Sequence, residues 1–328
     1  MWCLLQPVAR SARCDVPSAG VPAAVSILIV SWNPGTALER CLRSLDPTVH
    51  EVVVVDNASE DGSPELVRSR FPRVVLDRQP VNLGFAGGVN RACALASGEL
   101  LLLLNSDAAA TDGAVDLLAS FLEGNPSVGA VAGRLVDPEG KPQRGWNVRR
   151  FPTLGSLAAD LLLVDQVWPS NPATARYRAE DLDESKPGEV EQPAAACLMV
   201  RRSALAAVGG LDEGFQPAWF EDVDLCRRLL AAGWRIYFVP QAVFVHEGGT
   251  AMRRMGHEAF TRAWYRNMRK YARKHHGRTF AAAVDALIAV GMVERLFLSA
   301  VKRDLRACRT YLGVIKELTV RGGLEHVS

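Results

Sequence analysis

Three short stretches carry side chains able to do chemistry. Asn105-Ser106-Asp107 closes an apolar run. A carboxylate there can hold a hard divalent cation, Mg²⁺ or Mn²⁺, which takes oxygen ligands and keeps places for water and phosphates. An N-cap or Asx-turn accounts for Asp107 equally well, because the residues after it suit a helix start. Phe220-Glu221-Asp222-Val223-Asp224 sets three acids within four residues, next to Trp219. Acids at a helix start favour the macrodipole, but this number exceeds what capping requires, and a carboxylate beside aromatics can serve as a general base toward a hydroxyl. His246 ends the apolar run Val243-Phe244-Val245 and precedes Gly248 and Gly249. It is either a hydrogen-bonded structural residue or, with Asp107, part of a mixed oxygen–nitrogen metal site better suited to Mn²⁺ than to Ca²⁺.

These residues need elements to position them. Val25–Ser31, Glu51–Asp56, 74–76 and 100–104 read as apolar or β-branched strands, the first two as strands buried on both faces. Helical periods lie between them, and a glycine-rich turn, Gly84–Gly88, opens one of the helices. Such alternation predicts an α/β fold with a parallel sheet and right-handed crossovers. Ligands of such sheets sit beyond the carboxyl ends of the strands. Ser31 and Asn33, Asp56 and Asn57, Asn82, and Asp107 all fall at those ends. Each alone is an ordinary turn residue; together they point to a site.

Further strands are expected at 194–200, 235–239 and 242–245, a helix at 221–232, and helix from Gly256 onward with a break at Gly277. Residues 137–192, rich in Pro, Arg and Asp, read as an irregular acceptor-side insertion in a catalytic domain spanning 25–256. Residues 1–24 read as a disordered lead-in. The chain has 328 residues, 48% of them hydrophobic, and a net charge of +2, which gives no reason to expect a nucleic-acid partner. Seven scattered cysteines without CxxC spacing fit reduced residues of a cytosolic protein.

The ordered phrases Asn82-Leu83-Gly84-Phe85-Ala86-Gly87-Gly88-Val89-Asn90, Leu104-Asn105-Ser106-Asp107, Arg149-Arg150-Phe151-Pro152-Thr153 and Tyr271-Ala272-Arg273-Lys274-His275-His276-Gly277 make a chain that resembles glycosyltransferase family 2, of the GT-A fold, and within it the bacterial rhamnosyltransferase branch. The resemblance covers roughly residues 25–278. It implies a Rossmann-like, mostly parallel sheet flanked by helices, with a helical C-terminal extension. It implies that Asp56 binds the pyrimidine base with Ser31 and Asn33 nearby, and that Asp107 is the last acid of the DXD metal motif. Asn105 replaces the first acid of that motif, leaving the metal one charged ligand short. It further implies that Asp222 is the second acid of the catalytic pair begun by Glu221, and that His246 helps hold metal or diphosphate. Asn57, Asn82, Gly84, Asn90 and Asn105 are expected around the nucleotide sugar.

The implied reaction is inverting transfer from a nucleoside-diphosphate sugar, with dTDP-L-rhamnose the favoured donor, to a hydroxyl of a glycan or polyprenyl-diphosphate-linked acceptor in cell-envelope polysaccharide synthesis. A divalent metal would neutralise the leaving diphosphate. Arg253 and Arg254 would add positive charge, unless they belong to a solvated basic face. A dehydrogenase would need G-x-G-x-x-G after the first strand, where the chain has Ser31-Trp32-Asn33-Pro34-Gly35. A sugar-nucleotide pyrophosphorylase would need a Gly- and Lys-rich loop there. A catalytically dead scaffold is the remaining rival, suggested by the missing first acid and opposed by Asp107, Asp222 and His246.

Residues 257–328 form a basic, amphipathic helical region. Phe260, Trp264, Met268 and Tyr271 recur at helical spacing among Arg262, Arg266, Arg269, Lys270, Arg273 and Lys274. Such a helix suits an anionic membrane interface. Packing on the catalytic domain with a solvated basic face is the alternative. The expected location is cytoplasmic, peripheral at the inner face of the membrane.

Overall fold

The computed structural model describes residues 24–319. The first half alternates strand and helix: β1 Val25–Ser31, α1 Ala37–Arg43, β2 Glu51–Asp56, α2 Ser63–Arg70, β3 Val75–Arg78, α3 Gly84–Leu95, β4 Leu100–Asn105, β5 Ala108–Ala110, α4 Ala114–Gly124 and β6 Val128–Val136. A segment of small elements follows: β7 Val148–Arg149, α5 Leu154–Leu161, α6 Val164–Val167, α7 Pro172–Tyr177, β8 Gly188–Glu189 and β9 Gln192–Pro193. The chain then returns to the sheet through β10 Cys197–Arg201, α8 Arg202–Ala207, α9 Glu221–Ala231 and β11 Arg235–His246. It ends in α10 Thr250–Met255, α11 His257–Val301 and α12 Leu305–Thr319.

The main sheet runs β3-β2-β1-β4-β10-β6-β11-β5, with β8 added on β11. The β3-β2-β1-β4 block is parallel, as is β6 with β11, whereas β10 and β5 run antiparallel to their neighbours. Side chains alternate across the sheet with period two. Ile27, Ile29, Val52, Val54, Leu102 and Leu104 face α1 and α4. Leu28, Val53, Val55, Leu101 and Leu103 face α3, α8 and α9. Burial on both faces is why these strands are almost wholly apolar, each buried Val or Leu contributing about 1.5–3 kcal/mol. The thiols are part of this packing: burial pushes Cys197 up to about 12 and Cys93 up to about 11. All five described cysteines are free, while Cys3 and Cys14 lie outside the described residues, as does the expectation for the lead-in before Ala24.

Four sequence expectations are corrected. The third strand lies at Val75–Arg78, a residue or two later than expected. The two strands expected at 235–245 are one, Arg235–His246, with a register shift between Val239 and Val243. Pro240 falls in that shift and has no amide to offer the ladder. Asp107 does not start a helix: it leads into β5, and α4 begins later, after Gly113. Residues 137–192 contain helices, two with side-chain caps. The Thr153 hydroxyl accepts from the Ser156 amide and the Asn171 side chain accepts from the Thr174 amide.

The C-terminal helices close one side of the molecule. The kink at Gly277, φ 78° and ψ −179°, divides α11 into two halves. In the first half Met268 and Tyr271 are about fully buried, packed with Phe215, Phe220 and Leu157. The apolar stripe expected to meet a membrane is therefore turned inward. Its basic residues are also engaged: Arg269 pairs with Asp285, Arg262 with Glu317, and Lys270 and Lys274 with Asp212. This follows from the presence of complementary acids on the neighbouring segments and of an apolar groove to fill.

Helix α3 approaches β1 closely because it is glycine-rich. A Cβ at Gly88 would lie 2.6 Å from Val30 Cγ1. Gly88→Ala is expected to destabilise the chain by about 1–3 kcal/mol, the usual range for overpacking, measured by urea unfolding. An unchanged midpoint would show that Val30 and α3 yield freely.

Candidate active site

The carboxyl ends of β1 and β2 hold three buried polar atoms without a hydrogen-bond partner: Ser31 Oγ, Asp56 Oδ1 and Asn57 Oδ1. Buried polar atoms are nearly always paired, so three orphans at one sheet edge mark a place for a polar ligand. The second Asp56 oxygen accepts from the Ser59 amide at 3.1 Å. Asn57 Nδ2 donates to Gly84 O at 3.0 Å, and Asn82 Oδ1 accepts from the Gly84 amide at 2.8 Å. Gly84 is required there: its φ is +75°, and a Cβ would lie 2.8 Å from Pro217 O.

Two expected nucleotide residues are engaged elsewhere. Asn33 Oδ1 accepts from the Glu60 amide and the Asn33 amide donates to Ser59 Oγ, so this residue, at φ 47°, holds two loops together. Asn90 lies on the side of α3 facing residues 211–213. It accepts from the Leu211 amide and donates to Leu211 O and Glu213. Neither lines the main cleft. Arg253 and Arg254 do not line it either; both are exposed. Arg253 donates to Gly248 O and Thr250 Oγ1. Arg254 lies across the Gly35 turn, and its charge helps to lower the pKa of Asp61.

Asp107 and His246, remote in sequence, meet because β5 pairs antiparallel with the end of β11. Ala108 lies opposite His246, and the Glu247 amide donates to Asp107 O at 3.2 Å. His246 Nε2 is 3.3 Å from Asp107 Oδ1 and 3.4 Å from Asn105 Nδ2. Gln143 fixes the imidazole. Its Nε2 donates to His246 O at 2.7 Å, which leaves its Oε1 facing His246 Nδ1 at 2.9 Å. Only a protonated Nδ1 makes both contacts hydrogen bonds, so a neutral His246 turns the Nε2 lone pair toward Asp107. Two acceptors at that distance call for a cation or a proton between them. Burial pushes Asp107 upward, but the imidazolium form of His246, by hydrogen bond and charge, and the Thr250 hydroxyl pull its carboxyl below the usual range.

The donor set fits a divalent cation in part. Among the described residues no group of three or more His, Cys, Asp or Glu could hold a metal. Asp107 and His246 would supply one oxygen and one nitrogen, leaving phosphate and water to complete the shell, as Mg²⁺ and Mn²⁺ accept.

The acid pair stands at the start of α9, behind two non-glycine residues in the left-handed region: Trp219 at φ 78° and Phe220 at φ 73°. Such conformations cost on the order of 1–3 kcal/mol each and persist only where surroundings enforce them. The first half of α11 does so. Asn267 Nδ2 lies 2.8–3.1 Å from the carbonyls of Gln216, Ala218 and Trp219. Phe220 packs edge-on against Trp264 and tilted against Tyr271, and Trp219 against Phe260.

Glu221 is buried with Oε2 unpartnered. Burial, then the neighbouring Asp222 and Asp224 charges, push its carboxyl well above the usual range. Burial also raises Asp222, opposed by the Arg149 guanidinium and by the Val223 and Ala195 amides. Asp224 faces away, bound to Arg228, Lys274 and His275. Sequence reading assigned Arg149 no role; its signal was the paired arginines before Phe151-Pro152. Its guanidinium lies 5.7 Å from the Trp146 ring and 5.8 Å from the Tyr177 ring. Gln143 carried no signal at all.

A cleft of about 1090 Å³ joins these parts. Asn57, Asn82 and Gly84 line it, with Asn105, Asp107 and His246; so do Arg149, Glu221 and Asp222. It continues past Trp219, Phe260 and Trp264 to Arg295 and Tyr311. Ser31 and Asp56 lie outside this lining, at the sheet edge beside Asn57.

A nucleotide-sized cleft across the carboxyl edge of such a sheet, with an acid at a strand end and an acid pair on a later helix, defines a GT-A type glycosyltransferase. The chain belongs to glycosyl transferase family 2, whose model matches residues 26–209; that of glycosyl transferase family group 2 matches residues 176–296. It is 35% identical over 237 residues, 67% of this chain and 75% of the other, to the N-acetylglucosaminyl-diphospho-decaprenol L-rhamnosyltransferase of Mycobacterium tuberculosis. It is 31% identical over 233 residues, 70% of this chain and 44% of the other, to the pre-mycofactocin glycosyltransferase of the same species. In fold it is similar to a mannosyltransferase from Pyrobaculum calidifontis solved with GDP-Man and Mn²⁺, at TM-score 0.52 and 18% identity over 92% of this chain and 77% of the other. It is likewise similar to S. aureus TarS with UDP-GlcNAc, at 0.54 and 16% over 90% and 80%. These likenesses bear out the expected family, its rhamnosyltransferase branch and the GT-A fold.

Gln143→Leu removes the group that orients His246. Partners behind a metal-bound histidine usually contribute 10–100-fold to affinity, so Mn²⁺ binding, measured by calorimetry in the presence of a nucleoside diphosphate, is expected to weaken by about that factor. Unchanged affinity would free His246 of the role.

Proposed function

We propose that this enzyme is an inverting rhamnosyltransferase. It moves L-rhamnose from dTDP-L-rhamnose to a hydroxyl of a polyprenyl-diphosphate-linked glycan in cell-envelope polysaccharide synthesis, at the cytoplasmic face of the membrane. The observation that carries the reading is the single cleft. It runs from Asn57, whose Oδ1 is unpartnered and which stands beside Ser31 and Asp56 at the sheet edge, past Asp107 and His246, to Asp222, and on between aromatic side chains. The printed activity of the Mycobacterium tuberculosis relative, an L-rhamnosyltransferase toward a decaprenol-diphosphate-linked sugar, supports the choice of sugar and of acceptor class.

Ser31, Asp56 and Asn57 hold the base and nearby ribose, and the Asn82–Gly84 turn borders the diphosphate. Asp107 and His246 hold the divalent cation, which when bound neutralises the diphosphate as a leaving group. Asp222 takes the acceptor proton while that oxygen bonds to the anomeric carbon and the bond to the diphosphate breaks on the opposite face. One displacement inverts the centre. Asp222, partly buried and lining the cleft, is the base. Glu221, more deeply buried and raised further, favours its neutral form and can donate to a substrate oxygen. Arg149 opposes the rise that burial imposes on Asp222 and so favours its ionised form.

The test is transfer from a panel of nucleotide sugars to a water-soluble diphosphate-linked acceptor. Transfer from dTDP-rhamnose should stop in EDTA and return with Mn²⁺ or Mg²⁺. Asp222→Asn should lower turnover by ~10²–10⁴, the range for acid–base catalysis, with donor affinity retained. Turnover of another sugar alone would overturn the donor, and full activity in chelator the metal.

The pH dependence separates the roles further. Asp222 must be ionised to act, so activity falls as pH drops through its pKa, which lies above the ordinary aspartate range. Arg149 lowers that pKa. Arg149→Met should therefore shift the acid limb of kcat/KM to higher pH. An unmoved limb would assign the proton transfer to another group.

A further inference from the structure

The second half of α11 has an unusual outer face. Ala281, Val284, Ile288, Gly291 and Met292 are buried against the body. The opposite side carries Ala282, Ala286, Val290, Val293, Phe297 and Val301, all exposed. Their spacing of three and four residues forms one stripe about 28 Å long, at the helical rise per residue. No polar side chain interrupts it. Phe297 and Val301 are each 68% exposed, whereas large apolar residues on an ordinary surface are scattered singly.

The stripe ends in positive charge. Lys302 and Arg303 follow Val301 directly, then exposed Leu305 with Arg306 and Arg309. None of these four cations has an acidic partner in an ion pair among the described residues. Asp304, beside them in sequence, accepts from the Arg306 and Ala307 amides at the start of α12. No described helix is long and apolar enough to cross a membrane. An uninterrupted apolar stripe continued by free cations matches a bilayer lying parallel to the helix, with acyl chains against the stripe and anionic headgroups at the basic end.

We infer that the outer face of residues 282–306 docks the enzyme onto an anionic phospholipid bilayer. This deepens the proposed reaction and rests on it for its purpose. The helices that dock also wall the cleft, through Arg295 and Tyr311, so a lipid-linked acceptor would reach the cleft along the surface on which the enzyme lies. The docking residues differ from the inward-packed stripe of residues 260–271.

The experiment is flotation of the full chain with phosphatidylcholine vesicles, with and without phosphatidylglycerol. The protein should float with the anionic vesicles and much less with the neutral ones. A Val293→Glu/Phe297→Glu double variant should lose flotation. A Lys302→Ala/Arg303→Ala/Arg306→Ala variant should bind anionic vesicles at least tenfold more weakly, since each cation contributes about fivefold. Both variants should keep wild-type transfer to the water-soluble acceptor, which also shows that they fold. The inference is overturned if the wild-type chain stays unbound to anionic vesicles or if the Glu variant floats like wild type. It is equally overturned if sedimentation shows that the Glu variant dissociates a dimer, because the stripe would then be covered by a second copy. Failure of wild-type transfer to the soluble acceptor would sink the reaction and leave the flotation result standing.

Discussion

The antiparallel pairing of Ala108–Ala110 with the end of β11 governs the geometry of the candidate site. It turns the chain sharply after β4, so that Asp107 leaves the sheet edge instead of starting a helix. It brings His246 beside that carboxylate and holds Glu247 to the Asp107 carbonyl. Because β11 is also the parallel partner of β6, the contact is anchored in the sheet. Gln143 then enters from the segment after β6 and fixes the face that the imidazole presents.

A second constraint operates across the cleft. The acid pair follows two residues held at positive φ, and what holds them is the C-terminal helix. Asn267 gathers three carbonyls of the turn, and the rings of Phe260, Trp264 and Tyr271 pack on Trp219 and Phe220. The catalytic sheet and the helical region therefore share one site. The basic side chains of that helix neutralise Asp212, Asp285 and Glu317, binding the region to the body and to itself.

Much of this was legible in the sequence where burial leaves a one-dimensional trace. Runs such as Val25–Ser31 and Glu51–Asp56 read as strands because both their faces are covered. Asp107 and His246 stood out because they follow apolar runs, and Asp222 because three acids crowd into four residues beside Trp219 and Phe220. What escaped depends on contacts between distant segments. Three alanines give no strand signal, and β5 exists only because β11 lies beside it. Gln143 is an ordinary polar residue until His246 arrives. Asn90 sits in the same phrase as Asn82 and Gly84, yet the turn of α3 points it at residues 211–213. The stripe at Phe260 and Trp264 was read correctly as amphipathic, but periodicity does not say what covers an apolar face.

Gly277 sets the phase between the two halves of α11. Its dihedrals, φ 78° and ψ −179°, lie in a region essentially reserved for glycine, so the angle between the halves is fixed by one residue rather than by a flexible linker. Beyond that elbow each residue advances the helix by about 100°. A single insertion or deletion just after Gly277 would rotate everything downstream by that amount, carrying Ile288 and Met292 away from the body. The length of the chain between the elbow and Val301 thus acts as a dial whose setting decides which side of the helix the molecule shows to its surroundings.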